Sequence, residues 1–293
     1  MQTSRPFVLS TPLSSLWLSE VPCHQVAPTW YHYPDGEMAV DLPLELWGRE
    51  VILCGTMAPK PQEALMALGL VSEALQALQC RVTAWIPYLA YMRQDQRQHP
   101  GHSYGARQLA RIVSGFGWQR LITMDLHNAA AEGLFQCPVS VLSAQPLLVR
   151  AMQELGLNNP VVVAPDFGRA KGASDFADAL GCPCAIVNKA RGSAGVTART
   201  LFGDVSGRDV ILVDDLLATG TTLVRAAELC KTQGARSIRA CVSHALFCGD
   251  ARTLIQQSPI EQLWCLDTIP VEPPPARCEV LSCAPILQAM LNL

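Results

Sequence analysis

At 293 residues the chain is longer than a typical single domain, so two domains of about 140 residues each are expected, and an apolar fraction of 49% is ample for substantial cores. Lys and Arg number 22 against 25 Asp and Glu; the net charge of −3 gives no electrostatic case for nucleic acid. Among twelve cysteines only Cys182 and Cys184 are a close pair and no CxxC occurs, which argues against zinc fingers and disulfide frameworks and suits a reducing cytosol.

No basic n-region precedes an apolar core at the N-terminus, and no apolar run reaches spanning length. A soluble cytoplasmic protein without a membrane partner is expected. In chain order, residues 51–54 read as a strand, 62–78 as a helix with Leu65, Leu68, Val71, Leu75 and Leu78 on one side, and 82–86 as a strand. Residues 104–114 read as helix and 121–124 as strand. The rhythm restarts after about residue 143: helix 145–155, strand 161–164, helix 169–180, strand 185–187 and strand 210–213. Strands 238–245 and 262–266 come next, before the Pro-rich stretch 270–275. Such alternation predicts an α/β fold of two similar domains, 1–143 and 144–293, each a mainly parallel sheet flanked by helices. Ligands bind at strand carboxyl ends in such sheets, and acids occupy those ends in both halves: Asp125 in one, Asp214 and Asp215 in the other. The candidate functional segments all fall near such positions.

The densest stretch is 209–223, DVILVDDLLATGTTL. Four apolar residues lead into paired acids, a small Thr-rich turn, and then Leu223, Ala226, Ala227 and Cys230 at helical spacing. The turn Ala218, Thr219, Gly220, Thr221, Thr222 therefore opens a helix. Its backbone N–H groups and Thr hydroxyls can surround a phosphate monoester. Asp214 and Asp215 would repel that phosphate; they suit sugar hydroxyls, directly or through a divalent metal. The stretch resembles the ribose-phosphate loop of phosphoribosyltransferases.

Residues 31–37 (YHYPDGE), 86–95 (IPYLAYMRQD), 123–127 (TMDLH), 133–135 (GLF), 161–171 (VVVAPDFGRAK) and 188–191 (NKAR) precede it in that order. Together with the loop they resemble ribose-phosphate diphosphokinase, the phosphoribosyl pyrophosphate synthetase family, over roughly residues 30–285. The resemblance implies that ATP and ribose 5-phosphate give AMP and 5-phosphoribosyl 1-diphosphate with Mg2+, for nucleotide biosynthesis. It places ATP against Tyr33, Asp35, Glu37, Arg93, Gln94 and Asp95, metal at His127 and Asp166, and ribose 5-phosphate at Asp214, Asp215 and residues 218–222. The chemistry of these types agrees. A Tyr ring can stack on adenine and a carboxylate accept from its amine; Arg93 offers a fork for phosphate and Gln94 an amide for base or phosphate. PDGE is also a good plain turn. No GxxxxGK[ST] pattern is present, which argues against an ordinary P-loop kinase.

Lys189 and Arg191, read as following a strand and opening a mobile Gly/Ser-rich loop at 192–197, match the family's catalytic Lys-x-Arg. The family also implies a homo-oligomer, dimer or higher, because the 33–37 turn meets adenine across a subunit boundary. Departures accompany the matches. Thr221 stands where the family loop has a second glycine, and Ala218 where it often has an acid. After Asp166 the family often reads A/G-G-G-A-K-R, whereas this chain has Phe167, Gly168, Arg169, Ala170, Lys171 and Gly172, setting a long cation in place of a small glycine. Ala129–Ala131 replaces a Gln-containing segment in the helix after His127, and residues 96–103 lack the charge pattern associated with ADP and phosphate regulation. A divergent, short and unregulated member is expected. The other function classes are a phosphoribosyltransferase sharing the ribose loop and a non-catalytic subunit associated with a synthetase.

Overall fold

A computed structural model describes residues 7–12, 21, 23–191 and 197–291. The chain forms two compact units, one of residues 1–142, 268–270 and 282–293, the other of 143–267 and 271–281.

The first unit contains β1 (Phe7–Ser10), β2 (His24–Val26), a hairpin of β3 (Thr29–His32) and β4 (Met38–Asp41), β5 (Glu50–Cys54), α1 (Pro61–Ala77), β6 (Arg81–Trp85), α2 (Gly105–Ser114), β7 (Arg120–Met124) and β8 (Val139–Leu142). The second contains α3 (Gln145–Glu154), β9 (Pro160–Ala164), α4 (Ala170–Leu180), β10 (Cys184–Arg191), β11 (Thr197–Phe202), β12 (Asp209–Leu217), α5 (Thr221–Thr232), β13 (Ser237–Ala245), α6 (Ala251–Gln257), β14 (Gln262–Leu266) and β15 (Cys278–Leu281). The last helix, α7 (Ala284–Leu291), belongs to the first unit.

The two units share one strand order. In each, the second strand lies outside the first, and the third to sixth are arranged on the other side: β2-β1-β5-β6-β7-β8 and β10-β9-β12-β13-β14-β15. Every pairing within these runs is parallel. The β3-β4 hairpin and β11 pair antiparallel, and both fall between the second and third strands of their unit. This repeat is the pair of similar α/β domains expected from the alternating pattern.

Local sequence accounts for the elements. The β-branched runs of β9 and β12 are buried on both faces, as a central parallel strand requires. Helix α1 starts at a proline, which has no N–H to leave unpaired, and buries Leu68, Val71 and Leu75. Helix α4 ends at Gly181 with φ 71°, a left-handed cap that favours glycine. The N-terminal end of β12 is fixed by Asp209. Its carboxylate accepts from Arg236 Nε (2.9 Å), Ser237 Oγ (2.6 Å) and the Asn158 amide (2.9 Å), and the Arg236 hydrogen bond leads the causes that draw its pKa down to about 2.

Five of the twelve cysteines are buried; Cys265 and Cys278 on adjacent strands bring their Sγ atoms to 3.6 Å, a proximity their spacing did not reveal. Among the described residues no helix is long and apolar enough to cross a membrane.

Candidate active site

In the second unit, β9 and β12 are the two strands on either side of the point where strand order reverses, the place at whose carboxyl ends such sheets bind ligands. Strand β12 runs to Leu217, so Asp214 and Asp215 lie within it rather than in the turn beyond. Both carboxylates are largely buried, at 11% and 9% side-chain exposure. The Asp215 amide donates to Asp214 Oδ1 at 2.9 Å. Burial first, and then the charge of Asp215, push the Asp214 carboxyl well above its ordinary range.

The turn after β12 is built by backbone. The Leu246 and Cys248 amides donate to the Leu217 and Ala218 carbonyls at 2.8 and 2.9 Å, tying the turn to the segment after β13. Gly220 takes φ 76° and precedes α5 without any side-chain cap, so the amides of the first turn are not covered from within the helix. Thr219 and Thr221 place their hydroxyls 3.2 Å apart beside them.

Asp166 comes after β9 and precedes a 3-10 turn, Phe167–Arg169, that leads into α4. Because β9 and β12 are adjacent, this turn sets Arg169 over the acid pair: Nη1 is 3.1 Å from Asp215 Oδ2 and Nε 3.9 Å from Asp214 Oδ1. The sequence marks Arg169 as a departure; its partners emerge only from the strand order.

Lys189 and Arg191 require a correction. They do not follow a strand but lie inside β10, which continues beyond the end of β9. Ile186 is the last residue paired with β9, and Lys189 and Arg191 pair only with Arg199 and Thr197 of β11. The interstrand hydrogen bonds of β11, a partner distant in sequence pattern, extend the strand. Residues 192–196 of the expected loop lie outside the described residues, and Thr197 belongs to β11.

In the first unit, the 93–95 segment and the residues after β7 are adjacent. Asn128 Nδ2 donates to Asp95 Oδ2 at 2.7 Å, while Asn128 Oδ1 accepts from the Ala130 amide at 3.0 Å. Residues 129–134 form a 3-10 helix rather than an α-helix. Asp125 holds φ 36°, unusual for a non-glycine residue, and His127 is half-buried two residues later. Gln94 lies against the start of α2: a Cβ on Gly105 would stand 2.6 Å from Gln94 Oε1. Sequence order did not reveal that Asn128 meets Asp95 or that Gly105 meets Gln94. The signal for Asn128 was its place before the Ala129–Ala131 run, where Asn favours a cap.

Tyr33, Asp35 and Glu37 lie on the exposed turn between β3 and β4, in a separate two-stranded sheet and not at the carboxyl edge of a parallel one. The turn is closed by Tyr33 N–H to the Glu37 carbonyl (2.9 Å) and Glu37 N–H to Asp35 Oδ1 (3.1 Å), with Gly36 at φ 93°. Tyr33 is 52% exposed.

Among the described residues no group of three or more His, Cys, Asp or Glu side chains is placed to hold a metal. Magnesium keeps most of its shell in water and phosphate oxygens, so single ligands such as His127 and Asp166 fit an ion that arrives with a nucleotide. The Asp214–Asp215 pair, already ion-paired with Arg169, does not fit one.

The model of the N-terminal domain of ribose phosphate pyrophosphokinase matches residues 11–117, and that of the phosphoribosyl transferase domain matches residues 134–256. A ribose-phosphate pyrophosphokinase of Porphyromonas gingivalis is 34% identical over 286 residues, 95% of this chain and 90% of that one. One from Vibrio parahaemolyticus is 38% identical over 241 residues, 81% and 77% of the two chains. The crystal structure of phosphoribosylpyrophosphate synthetase from Mycobacterium smegmatis matches with a TM-score of 0.91 at 26% identity, over 98% of each chain.

Proposed function

The chain belongs to the ribose-phosphate pyrophosphokinase family, and from that premise we propose how its residues carry the reaction. The reaction moves the diphosphoryl group of ATP to the 1-hydroxyl of ribose 5-phosphate, giving 5-phosphoribosyl 1-diphosphate and AMP. The observation that carries the assignment of roles is the turn at 218–222, an uncapped helix start directly after a buried acid pair. The amides and hydroxyls of Thr219, Gly220, Thr221 and Thr222, with Ala218, hold the 5-phosphate, and Asp214 and Asp215 accept from the sugar hydroxyls.

ATP is held by Arg93, Gln94 and Asp95, with adenine received by Tyr33, Asp35 and Glu37. The first unit thus supplies the ATP side and the second unit the ribose and catalytic side. Mg2+, with His127 and Asp166 as its protein ligands, would supply a cation that screens the triphosphate. Lys189 and Arg191 act at the reacting bond. As the 1-hydroxyl oxygen bonds to the β-phosphorus and the bond to the α–β bridging oxygen breaks, negative charge gathers on that oxygen, and the two cations stabilise it.

The exposed 33–37 turn supports a homo-oligomer in which one chain completes its neighbour's adenine site. The number of buried cysteine thiols supports a cytoplasmic setting.

Release of AMP from ATP only when ribose 5-phosphate is present tests the reaction. Lys189→Ala should lower kcat by ~10²–10³ with little change in substrate affinity; unchanged turnover removes Lys189 from the mechanism. Mixing that variant with an Asp35→Ala, Glu37→Ala variant should restore part of the activity. No recovery after verified subunit exchange would place each site within one chain.

A further inference from the structure

Two carboxylates on consecutive residues of one buried strand need a counter-charge. Left alone, such a pair takes up a proton or a divalent cation. In this chain the charge is covalently present. The Arg169 guanidinium is 21% exposed, has Nη1 3.1 Å from Asp215 Oδ2 and Nε 3.9 Å from Asp214 Oδ1, and comes from the turn after the neighbouring strand. A guanidinium cannot be deprotonated in this setting and presents its donors in a fixed planar fork, which suits two neighbouring carboxylates better than an ammonium does. It adds one positive charge beside the carboxylates, where a cation would otherwise bind.

We propose that Arg169 takes the place of a divalent cation at the Asp214–Asp215 pair, so that ribose 5-phosphate binds to the second unit without magnesium. This rests on reading the 214–222 segment as the ribose 5-phosphate site. Arg169 is a positioning residue: it orients the carboxylates to accept from the sugar hydroxyls and keeps the space beside them closed to a metal. The metal requirement of the whole reaction then arises on the nucleotide side alone.

Calorimetric titration of the full chain with ribose 5-phosphate, without nucleotide, in EDTA and in magnesium chloride, tests this. The wild-type protein should bind the sugar equally in both. Arg169→Gln, which keeps length and amide donors but loses the charge, should bind about tenfold or more weakly in EDTA and recover when magnesium is added. Arg169→Lys should keep metal-independent binding, which also guards against a folding defect in the Gln variant; thermal melting of each variant completes that check.

Wild-type binding that requires magnesium overturns the proposal while leaving the site reading intact. So does an Arg169→Gln variant that binds as well as the wild type in EDTA. Absence of sugar binding in either buffer overturns the site reading, and the proposal with it.

Discussion

The two units share a strand order yet treat the same switch point in opposite ways. In the second, the ends of β9 and β12 carry Asp166, Asp214 and Asp215 and lead into an uncapped helix. The equivalent strands of the first are β1 and β5, and their carboxyl ends run into packed interior: Thr11, Cys54, Gly55, Thr56, Met57 and Ala58 are all buried. The Thr11 amide donates to the Cys54 carbonyl and Thr56 Oγ1 to the Thr268 carbonyl, at 3.0 and 2.8 Å. A Cβ on Gly55 would meet Leu68 Cδ2 at 2.8 Å and Ile86 Cδ1 at 2.9 Å. The first unit instead carries its candidate groups after its fourth and fifth strands, at Arg93–Asp95 and His127. One topology thus supports a ligand crevice or a packed core, and the residues filling the switch point decide which.

That contrast is open to direct attack. The largest effect should come from Asp215→Asn, which keeps shape but removes charge. Ribose 5-phosphate affinity should fall by about 10- to 100-fold, the cost of ~1.5–3 kcal/mol for a hydrogen bond to a charged group, while ATP affinity changes little. Equal losses for both substrates would mean that Asp215 supports the fold. At the matching place in the first unit, Gly55→Val should do the reverse. Overpacking against Leu68 and Ile86 should cost ~1–3 kcal/mol in chemical denaturation and leave ribose 5-phosphate binding intact.

A smaller effect sharpens the contrast further. Asp214 has its folded pKa raised above the ordinary 3.8, so the folded state holds its proton more tightly than the unfolded state does. Its contribution is therefore favourable in acid and is lost as pH rises from about that ordinary value through the folded one. Asp214→Asn should stabilise the sugar-free protein at neutral pH by ~0.5–2 kcal/mol, with the gain vanishing in acid, while weakening sugar binding. A neutral-pH melting temperature at or below that of the wild type would show that Asp214 is a structural acid like Asp209.

Features that depend on near neighbours could be read from the sequence. Asp214, Asp215 and the turn 218–222 act through one strand end and one helix start, so their order along the chain carries their geometry. The continuation of β10 to Arg191 depends on β11, whose pairing joins Lys189 to Arg199 across the intervening residues, and a local pattern cannot reveal it. Arg169 stood out as an unusual cation, but its partners lie more than 40 residues on and meet it only because β12 is inserted beside β9. Short strands such as Phe7–Ser10 and Cys278–Leu281, at four residues each, show too few alternations to be distinguished from loop.

The membership of residues 282–293 in the first unit bears on how the protein is made. Synthesis runs from the N-terminus, and a domain encoded first ordinarily folds first. Here the second unit has all of its residues once position 281 has left the ribosome, whereas the unit begun earlier still lacks α7. The places of Cys283 and Leu287, both fully buried in the finished fold, stay vacant until α7 has been made. A truncation after Leu281 would leave those places empty for good while sparing every residue of the second unit.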